Sequence, residues 1–519
     1  MTTISRRNFV SAAATGAGLL ATVRSAGAQD RLPELRFGVI DDRQAPCPCR
    51  IHVTDPQGKP QQATDQPFWR DHFVCDGRAT LRLRPGRYRY EIERGPEHQR
   101  QGGTVELEPN RDAELDVRLR RIVDLQRQGW YCGDLHVHRP LKDVPLLMRA
   151  EDLHVAPVIT WWNQTNPWQA EPPPRDLLRQ FDGNRFYHAM AGEDERGGGA
   201  VLFFNLDRPL DIAGARREYP SAAKYIADAR SRNPDVWVDI EKPFWWDVPL
   251  WVASGQVDSI GIAHNHMWRG GVLPNEAWGR PRDKARYPDP LGNGYWSQDI
   301  YYHLLNCGIR LPPSAGSASG VLPNPVGYNR VYVRVEGGLT YEKWWQGLKS
   351  GRCFVTNGPL LLCEAEGKLP GEVFRVEGGR QVDLALAVQV FSNDPIRRVE
   401  IVKNGRVEGE IRLAAPQAGE RRGTAEVSFA ESGWFLVRAV ADTPDTFRFA
   451  STGPSYVEVG SQARRVSRGS AKFFLDWMAE RRETLKAAGE PPRQLAEVLD
   501  AHAKADRFWR NLSDTATAE

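Results

Sequence analysis

The sequence predicts an α/β protein in which a central α/β unit is flanked by two β-sandwich domains and followed by a helical segment. Between about residues 130 and 357, short apolar runs alternate with helical patches, which is typical of a parallel barrel or sheet. On either side, apolar and polar residues alternate along short runs that end in turn residues, as in β-sandwiches. After residue 470, apolar residues recur at helical spacing. A chain of 519 residues is long enough for several such domains.

The first 28 residues are predicted to be a signal peptide. Twin arginines, Arg6 and Arg7, precede a mild apolar stretch over residues 10–23, and Ala-Gly-Ala at 26–28 fits a cleavage site. We therefore expect export by the twin-arginine machinery to the periplasm or beyond, with a mature chain that starts at Gln29. The apolar stretch is too short to span a bilayer, so no integral membrane segment is expected after signal removal.

Charge and cysteine content narrow the function classes. The net charge is +3, which does not indicate a nucleic-acid partner. The chain has seven cysteines, of which Cys47, Cys49 and Cys75 could hold one disulfide in an oxidising compartment, although spacing leaves the pairing open. Because no Cys-x-x-Cys occurs, a thiolate zinc site is not expected.

The flanking regions are predicted from local pattern. Residues 35–125 alternate with a period of two and turn at Pro85-Gly86, which predicts an N-terminal β-sandwich. Residues 375–460 alternate in the same way around an Asn404-Gly405 hairpin turn and predict an immunoglobulin-like sandwich. Residues 470–512 predict two amphipathic helices, separated at Pro491-Pro492, that dock on the body of the protein.

The central region, residues 130–370, contains the candidate site. His136 and His138 follow an apolar run, and residues i and i+2 of a strand point to the same face. Two imidazoles so placed can bind one metal ion, because histidine is the commonest metal ligand in proteins. The alternative interpretation is a structural histidine pair.

Further candidates also follow apolar runs, and in α/β folds the reactive residues collect at the carboxyl ends of strands. His264 and His266 form a second His-x-His pair, and the carboxylates supply the charge that neutralises a dication. The candidate ligands are His136, His138, Glu193, Glu241, His264 and His266. The alternatives are solvated acids for Glu193 and Glu241, and a hydrogen-bonded structural pair for the second histidines.

Several of these motifs resemble the PHP (polymerase and histidinol phosphatase) superfamily of metallohydrolases, in its carbaryl-hydrolase-like (CehA/McbA) branch. The resemblance covers residues 130–370 and depends on Gly-Asp-Leu-His-Val-His at 133–138, Gly-Glu at 192–193 and the segments 328–333 and 347–359. It implies a distorted (β/α)7 barrel with two or three metal ions. It would make His136 and His138 ligands and Glu193 a bridging ligand.

Three elements depart from the family pattern. Residues 160–163 are Thr-Trp-Trp-Asn where the family has Thr-Asp-His, and Glu241-Lys242-Pro243 replaces a His-Pro pair. Residues 315–320, Ala-Gly-Ser-Ala-Ser-Gly, replace a Gly-Ser-Asp-x-His element. A single ion on the first three ligands with Glu241 or His264 is therefore one possibility, and a barrel without metal is another.

The main functional prediction is an exported hydrolase that acts on a small-molecule or carbohydrate substrate. One or two zinc, manganese or iron ions would activate water toward an ester, carbamate, phosphoester or glycosidic bond. Asp134 would orient a ligand histidine, Arg139 would bind an anionic substrate group, and Asp194 is a further candidate for the base.

Two alternative functions remain open. The chain has 17 tryptophans, with doublets at 161–162, 245–246 and 344–345, so a degenerate barrel could bind a carbohydrate or aromatic ligand in a Trp-rich cleft without metal catalysis. In the second alternative, Glu193 and Glu241 would be the acid and base of a glycosidase.

Overall fold

The computed structural model describes residues 31–416, 419–461 and 464–519, so the predicted signal peptide lies outside the described residues. The fold is mixed α/β, and this part of the sequence prediction is confirmed. A mixed sheet of 16 strands passes through the molecule, accompanied by small sheets of two, three, three and five strands and by two long C-terminal helices. Among the helices of the described residues, none is long and apolar enough to cross a membrane.

The N-terminal β region consists of two small sheets around their own core. Its strands are β1 (Glu34–Ile40), β2 (Cys49–Thr54), β3 (Phe68–Trp69), β4 (His72–Cys75), β5 (Arg78–Arg82), β6 (Gly86–Glu93), β7 (Gln101–Leu107) and β8 (Ala113–Arg118). The strand orders are β5-β1-β8 and β3-β4-β2-β6-β7. Alternating burial along β1 and β5 turns Phe37 and Leu81 into a core shared with Ile51 and Ile92.

The central region combines strands with α-helices, without strict alternation. Its elements are β9 (Trp130–Gly133), α1 (Val144–Ala150), β10 (Val155–Trp162), β11 (Leu178–Phe181), β12 (Arg185–Arg196), β13 (Gly199–Phe204), α2 (Ala222–Arg232), β14 (Trp237–Ile240), α3 (Val248–Ala253), β15 (Ser259–Ala263), β16 (Met267–Trp268), β17 (Gly271–Val272), α4 (Gly292–Asn306), β18 (Pro313–Ala315), β19 (Arg330–Arg334), α5 (Tyr341–Lys349) and β20 (Cys353–Thr356).

The central strands are ordered β18-β15-β14-β13-β12-β10-β9. Most neighbours are parallel, but β13 is antiparallel to both β12 and β14. The cause is a tight turn after Arg196, where Gly199 has a φ of +112° that side-chain-bearing residues rarely adopt. A two-strand hairpin therefore replaces one of the expected helical crossovers.

The two ends of this strand order meet at backbone level. Leu135 N donates to Ala315 O at 3.0 Å, and His138 N donates to Ser319 O at 2.8 Å. Val137 also forms parallel bridges to both Val158 and Ser319. The segment that follows β9 consequently lies between the segments of β10 and β18, and its two histidines are held on both sides.

The C-terminal strands extend the central sheet. They are β21 (Leu360–Ala365), β22 (Val373–Val376), β23 (Val382–Phe391), β24 (Ile396–Lys403), β25 (Arg406–Glu410), β26 (Glu420–Phe429), β27 (Gly433–Ala441), β28 (Phe449–Thr452) and β29 (Ser455–Val459). Because β28 pairs with β20, the large sheet continues from the central region into this one, while β21, β23 and β26 form a separate antiparallel sheet. Local alternation predicts these strands but not this continuity.

Two C-terminal helices, α6 (Arg468–Lys486) and α7 (Pro492–Asp514), pack against each other and against α3. Ser467 caps α6 by accepting a hydrogen bond from Ser470 N. The helical structure is interrupted before Pro492, as predicted. Trp509 is fully buried; its ring stacks on Phe474 with centroids 4.4 Å apart, and its Nε1 donates to Pro249 O at 3.0 Å.

Replacement of this anchor tests whether the helices stabilise the body of the protein. We expect Trp509→Ala to destabilise the protein by about 3–5 kcal/mol, because a buried indole and its hydrogen bond are lost. Thermal unfolding followed by circular dichroism measures the effect. Trp278→Ala is the control, since Trp278 is 50% exposed. Equal unfolding midpoints for the two variants would contradict the docking role.

Candidate metal site

Three predicted ligands come together at the end of β9 and in β12. His136 Nε2 and His138 Nε2 are 3.0 Å apart, and Glu193 Oε2 lies 3.4 Å from the first nitrogen and 3.1 Å from the second. All three side chains are at most 10% exposed. The predicted same-face placement of the two histidines therefore agrees with their geometry.

These separations fit a metal ion. Two ligand atoms about 2.1 Å from one ion are about 3.0 Å apart at a right angle and about 3.4 Å apart at a tetrahedral angle. Glu193 Oε2 is also buried without a well-formed hydrogen bond, although such atoms are normally paired. Two neutral imidazoles and one carboxylate form a ligand set that suits zinc, manganese or iron.

The carboxylates control the protonation of the cluster in the absence of a cation. Burial opposes a charge on His136, but Glu193 and Glu241 outweigh it and raise the pKa of His136 to about 10. Burial likewise opposes ionisation of Glu193, yet His136 and His138 lower its pKa to about 2. The cluster thus pairs opposite charges where a metal ion would otherwise lie.

Glu241 lies on the other side of His136. Its Oε1 is 3.3 Å from His136 Nδ1, while its Oε2 contacts Lys242 Nζ and accepts a hydrogen bond from Trp245 Nε1 at 3.0 Å. A carboxylate on the second nitrogen of a ligand histidine fixes the ring and raises its basicity. Glu241 is thus in a position to orient His136, and the ligand role predicted for it stays a prediction.

Strand alternation separates the acids of β12. Asp194 is fully buried on the opposite face from Glu193, where it accepts hydrogen bonds from Arg196 Nε at 2.5 Å and Nη2 at 2.7 Å. The predicted base is therefore bound to an arginine away from the cluster. Glu195 shares the face of Glu193; burial, and next the charge of Glu193, raise its pKa to about 7.

The second His-x-His pair does not join the first. His264 Nε2 lies 2.7 Å from Ser297 Oγ, which itself donates to Asn293 O, so His264 Nε2 is the donor. His264 Nδ1 then accepts a hydrogen bond from His266 N at 3.3 Å. With both nitrogens of His264 engaged, this arrangement favours the structural interpretation of the pair.

Asp134 positions the cluster through the backbone. Its Oδ1 accepts hydrogen bonds from His136 N and Ser317 N, both at 3.0 Å, and its Oδ2 accepts one from Gly327 N at 2.6 Å. The orienting role predicted for Asp134 toward an imidazole is thus exerted on the main chain. Burial raises its pKa, and the three N–H groups partly offset this effect.

Arg139 faces the N-terminal β region. Its guanidinium lies 5.3 Å from the ring centre of Trp69, and Trp69 Nε1 donates to Leu322 O at 2.7 Å. Arg139 is 6% exposed, so its predicted role in binding a substrate anion would require this contact to open. The β3–β4 hairpin therefore covers the chain that follows the first histidine pair.

Most tryptophans of the predicted cleft lie in the core. Trp161, Trp245, Trp344 and Trp345 are buried in the largest hydrophobic cluster. Trp246 is partly buried against the same cluster. Trp162 is half-buried, lies 5.5 Å from His138 between ring centres, and borders an open depression whose lining includes Thr165.

A second histidine cluster was missed by the sequence analysis. Asp71 lies between His52 and His72 in the N-terminal β region, with Oδ2 3.3 Å from His52 Nδ1 and Oδ1 2.8 Å from His72 Nδ1. Their spacing would also admit a metal ion. However, Arg50 Nε donates to His52 Nε2 at 3.1 Å, and its positive charge disfavours a cation there. The signal available in the sequence was Asp71-His72, which is weak alone.

Comparisons with known proteins add no family. No protein-family model matches the sequence, and no curated protein matches it. A solved structure of trypsin-activated alpha-2-macroglobulin from Escherichia coli is similar over 84% of this chain, at 8% identity and a TM-score of 0.13. The match spans 24% of that protein's length, and a likeness this weak carries no argument about fold or function.

The backbone contacts of Asp134 generate a stability prediction. We expect Asp134→Ala to lower the thermal unfolding midpoint, because three buried N–H groups lose their acceptor at about 1–3 kcal/mol each. Asp134→Asn keeps part of the acceptor capacity and should fall between this variant and the wild type. Asp207→Ala removes an exposed acid and is the control. Equal midpoints for Asp134→Ala and Asp207→Ala would show that the contacts do not hold the segments together.

Proposed function

We propose that this protein is an exported metal-dependent hydrolase. The observation that carries the proposal is the convergence of His136 Nε2, His138 Nε2 and Glu193 Oε2 at separations of 3.0–3.4 Å. The three residues would hold a divalent ion and leave its remaining positions to water and substrate. Once bound, such an ion supplies Lewis acidity and lowers the pKa of water.

We also propose that the central strands form a distorted (β/α)7 barrel of the PHP type. Support comes from the seven-strand order β18-β15-β14-β13-β12-β10-β9 and from the hydrogen bonds by which Leu135 and His138 reach Ala315 and Ser319. His136 and His138 follow β9, Glu193 lies in the second half of β12, and Glu241 follows β14. In such a barrel they would lie toward the carboxyl ends of the strands, the face that carries active sites in (β/α)8 barrels.

The surrounding residues have distinct roles in this proposal. Glu241 orients the imidazole of His136, and Asp134 fixes the main chain of the same residue. Glu195, which shares the strand face of Glu193, is placed to exchange a proton with a reacting group, whereas Asp194 is bound to Arg196. Hydrolysis of an ester, carbamate, phosphoester or glycosidic bond is compatible with these roles.

A second candidate function is ligand binding without catalysis. The observation in its favour is Trp162, which stands beside His138 at the edge of an open depression and could stack on a sugar or an aromatic ring. A glycosidase that uses Glu193 and Glu241 is less well supported. The His136 imidazole lies between the two carboxylates, whereas a glycosidase needs the substrate there.

Metal content tests the main proposal. The mature protein purified from the periplasm should contain near-stoichiometric zinc, manganese or iron by elemental analysis. We expect His136→Gln/His138→Gln to lose this metal because two of the three ligands are removed. His52→Gln/His72→Gln, which removes two histidines of the other cluster, is the matched control and should retain it. A folded wild type without metal would favour the binding protein, and loss of metal in the control alone would place the ion in the N-terminal β region.

A pair of cysteines in the N-terminal β region bears on the proposed export, because disulfides form and persist in oxidising compartments. Cys49 and Cys75 are paired neighbours on β2 and β4, and their sulfur atoms are 3.9 Å apart. Small side-chain rotations could bring these atoms to bonding distance.

We expect protein isolated from the periplasm to contain a Cys49–Cys75 disulfide, because that compartment is oxidising. Non-reducing peptide mass spectrometry, after alkylation of denatured protein, measures it. Cytoplasmic expression of residues 29–519 is the control and should yield two alkylated cysteines. Free Cys49 and Cys75 in periplasmic protein would contradict this bond.

A further inference from the structure

Lys242 is a buried cation within the candidate metal site. It is 3% exposed, its Nζ contacts Glu241 Oε2, and it lies 4.5 Å from the ring centre of Trp245. A buried ammonium group is costly unless it is paired, so its position has to be compensated by nearby negative charge. The compensation comes from an acid of the site itself.

The segment that carries Lys242 also packs against the second His-x-His pair, His264 and His266. Phe244, two residues along the chain, packs against His264 and His266 with ring centres 5.4 and 5.3 Å apart. Burial, followed by the charge of Lys242, lowers the pKa of His264 to about 3 and also holds the pKa of His266 well below its ordinary value. The ammonium group thus pairs with Glu241, and its charge also acts on the second His-x-His pair.

The charges around the site favour one ion rather than two. Glu193, Glu195 and Glu241 can carry at most three negative charges, and one divalent ion with one ammonium group already balances that number. A second divalent ion beside Lys242 would leave a surplus of positive charge in a buried site, where unpaired charge is strongly unfavourable. Moreover, Glu241 Oε2 already contacts Lys242 and Trp245, and Glu241 Oε1 faces His136 Nδ1.

We propose that Lys242 takes the place of a second metal ion, so that the site binds a single divalent ion on His136, His138 and Glu193. This inference rests on the proposed metal site and specifies its stoichiometry. Lys242 is then a fixed internal cation that keeps Glu241 ionised and aligned on His136. Removal of the ammonium group should open a second cation position beside Glu241.

The test compares the metal stoichiometry of the wild type with that of Lys242→Met and Lys242→Arg. Each protein is stripped with a chelator, saturated with Mn²⁺, freed of unbound metal and measured by elemental analysis and electron paramagnetic resonance. We expect one Mn²⁺ per chain in the wild type and in Lys242→Arg. Lys242→Met should bind two, with the altered spectrum of a coupled pair. In Glu241→Gln/Lys242→Met, both charges are gone and one ion is expected again.

The results distinguish failure of the role inferred for Lys242 from failure of the proposed metal site. Two Mn²⁺ ions in the wild type, or one in a folded Lys242→Met, would overturn the role of Lys242 while leaving a metal site. No Mn²⁺ in a folded wild type would overturn the proposed function itself. If circular dichroism shows that Lys242→Met does not fold, the Mn²⁺ content of the wild type is the test. One ion per chain supports the inference, and two ions overturn it.

Discussion

The carboxylate of Asp134 is the constraint on which the candidate site depends. Three backbone N–H groups from three segments converge on it, those of His136, Ser317 and Gly327. A buried charge is tolerated when such donors surround it. Here the arrangement also brings the end of β9 against the end of β18. The imidazoles of His136 and His138 point to one place because the main chain that carries them is held from both sides.

Much of this architecture follows from local pattern in the sequence. Alternation predicts the β-rich flanks, and helical spacing predicts α6 and α7 with the break near Pro492. The pairing between distant strands cannot be predicted in this way. The reversed β13 and the continuation of the large sheet from β20 to β28 depend on long-range partners, which no window of residues contains. The sequence therefore predicts elements better than it predicts their neighbours.

The candidate site shows the same division. His136, His138 and Glu193 meet because i and i+2 share a strand face, because both histidines follow the buried β9, and because Glu193 lies in the second half of β12. The same rule, applied one step further, would have chosen Glu195 over Asp194 as the acid facing the cluster. The positions of Glu241 and His264 could not be assigned from sequence, because they depend on contacts between distant residues. Glu241 faces Nδ1 of His136, and His264 is bound to the hydroxyl group of Ser297.

The contacts of Asp134 also set an order of events during synthesis. Its partners Ser317 and Gly327 lie 183 and 193 residues further along the chain. A nascent chain that ends before them has made both histidines but cannot yet hold them, and closure over such a distance is slow. The three contacts that hold this segment therefore cannot all form until Gly327 has been synthesised. On the proposed twin-arginine route, which carries folded proteins, the ion would be taken up in the cytoplasm after this step and before translocation.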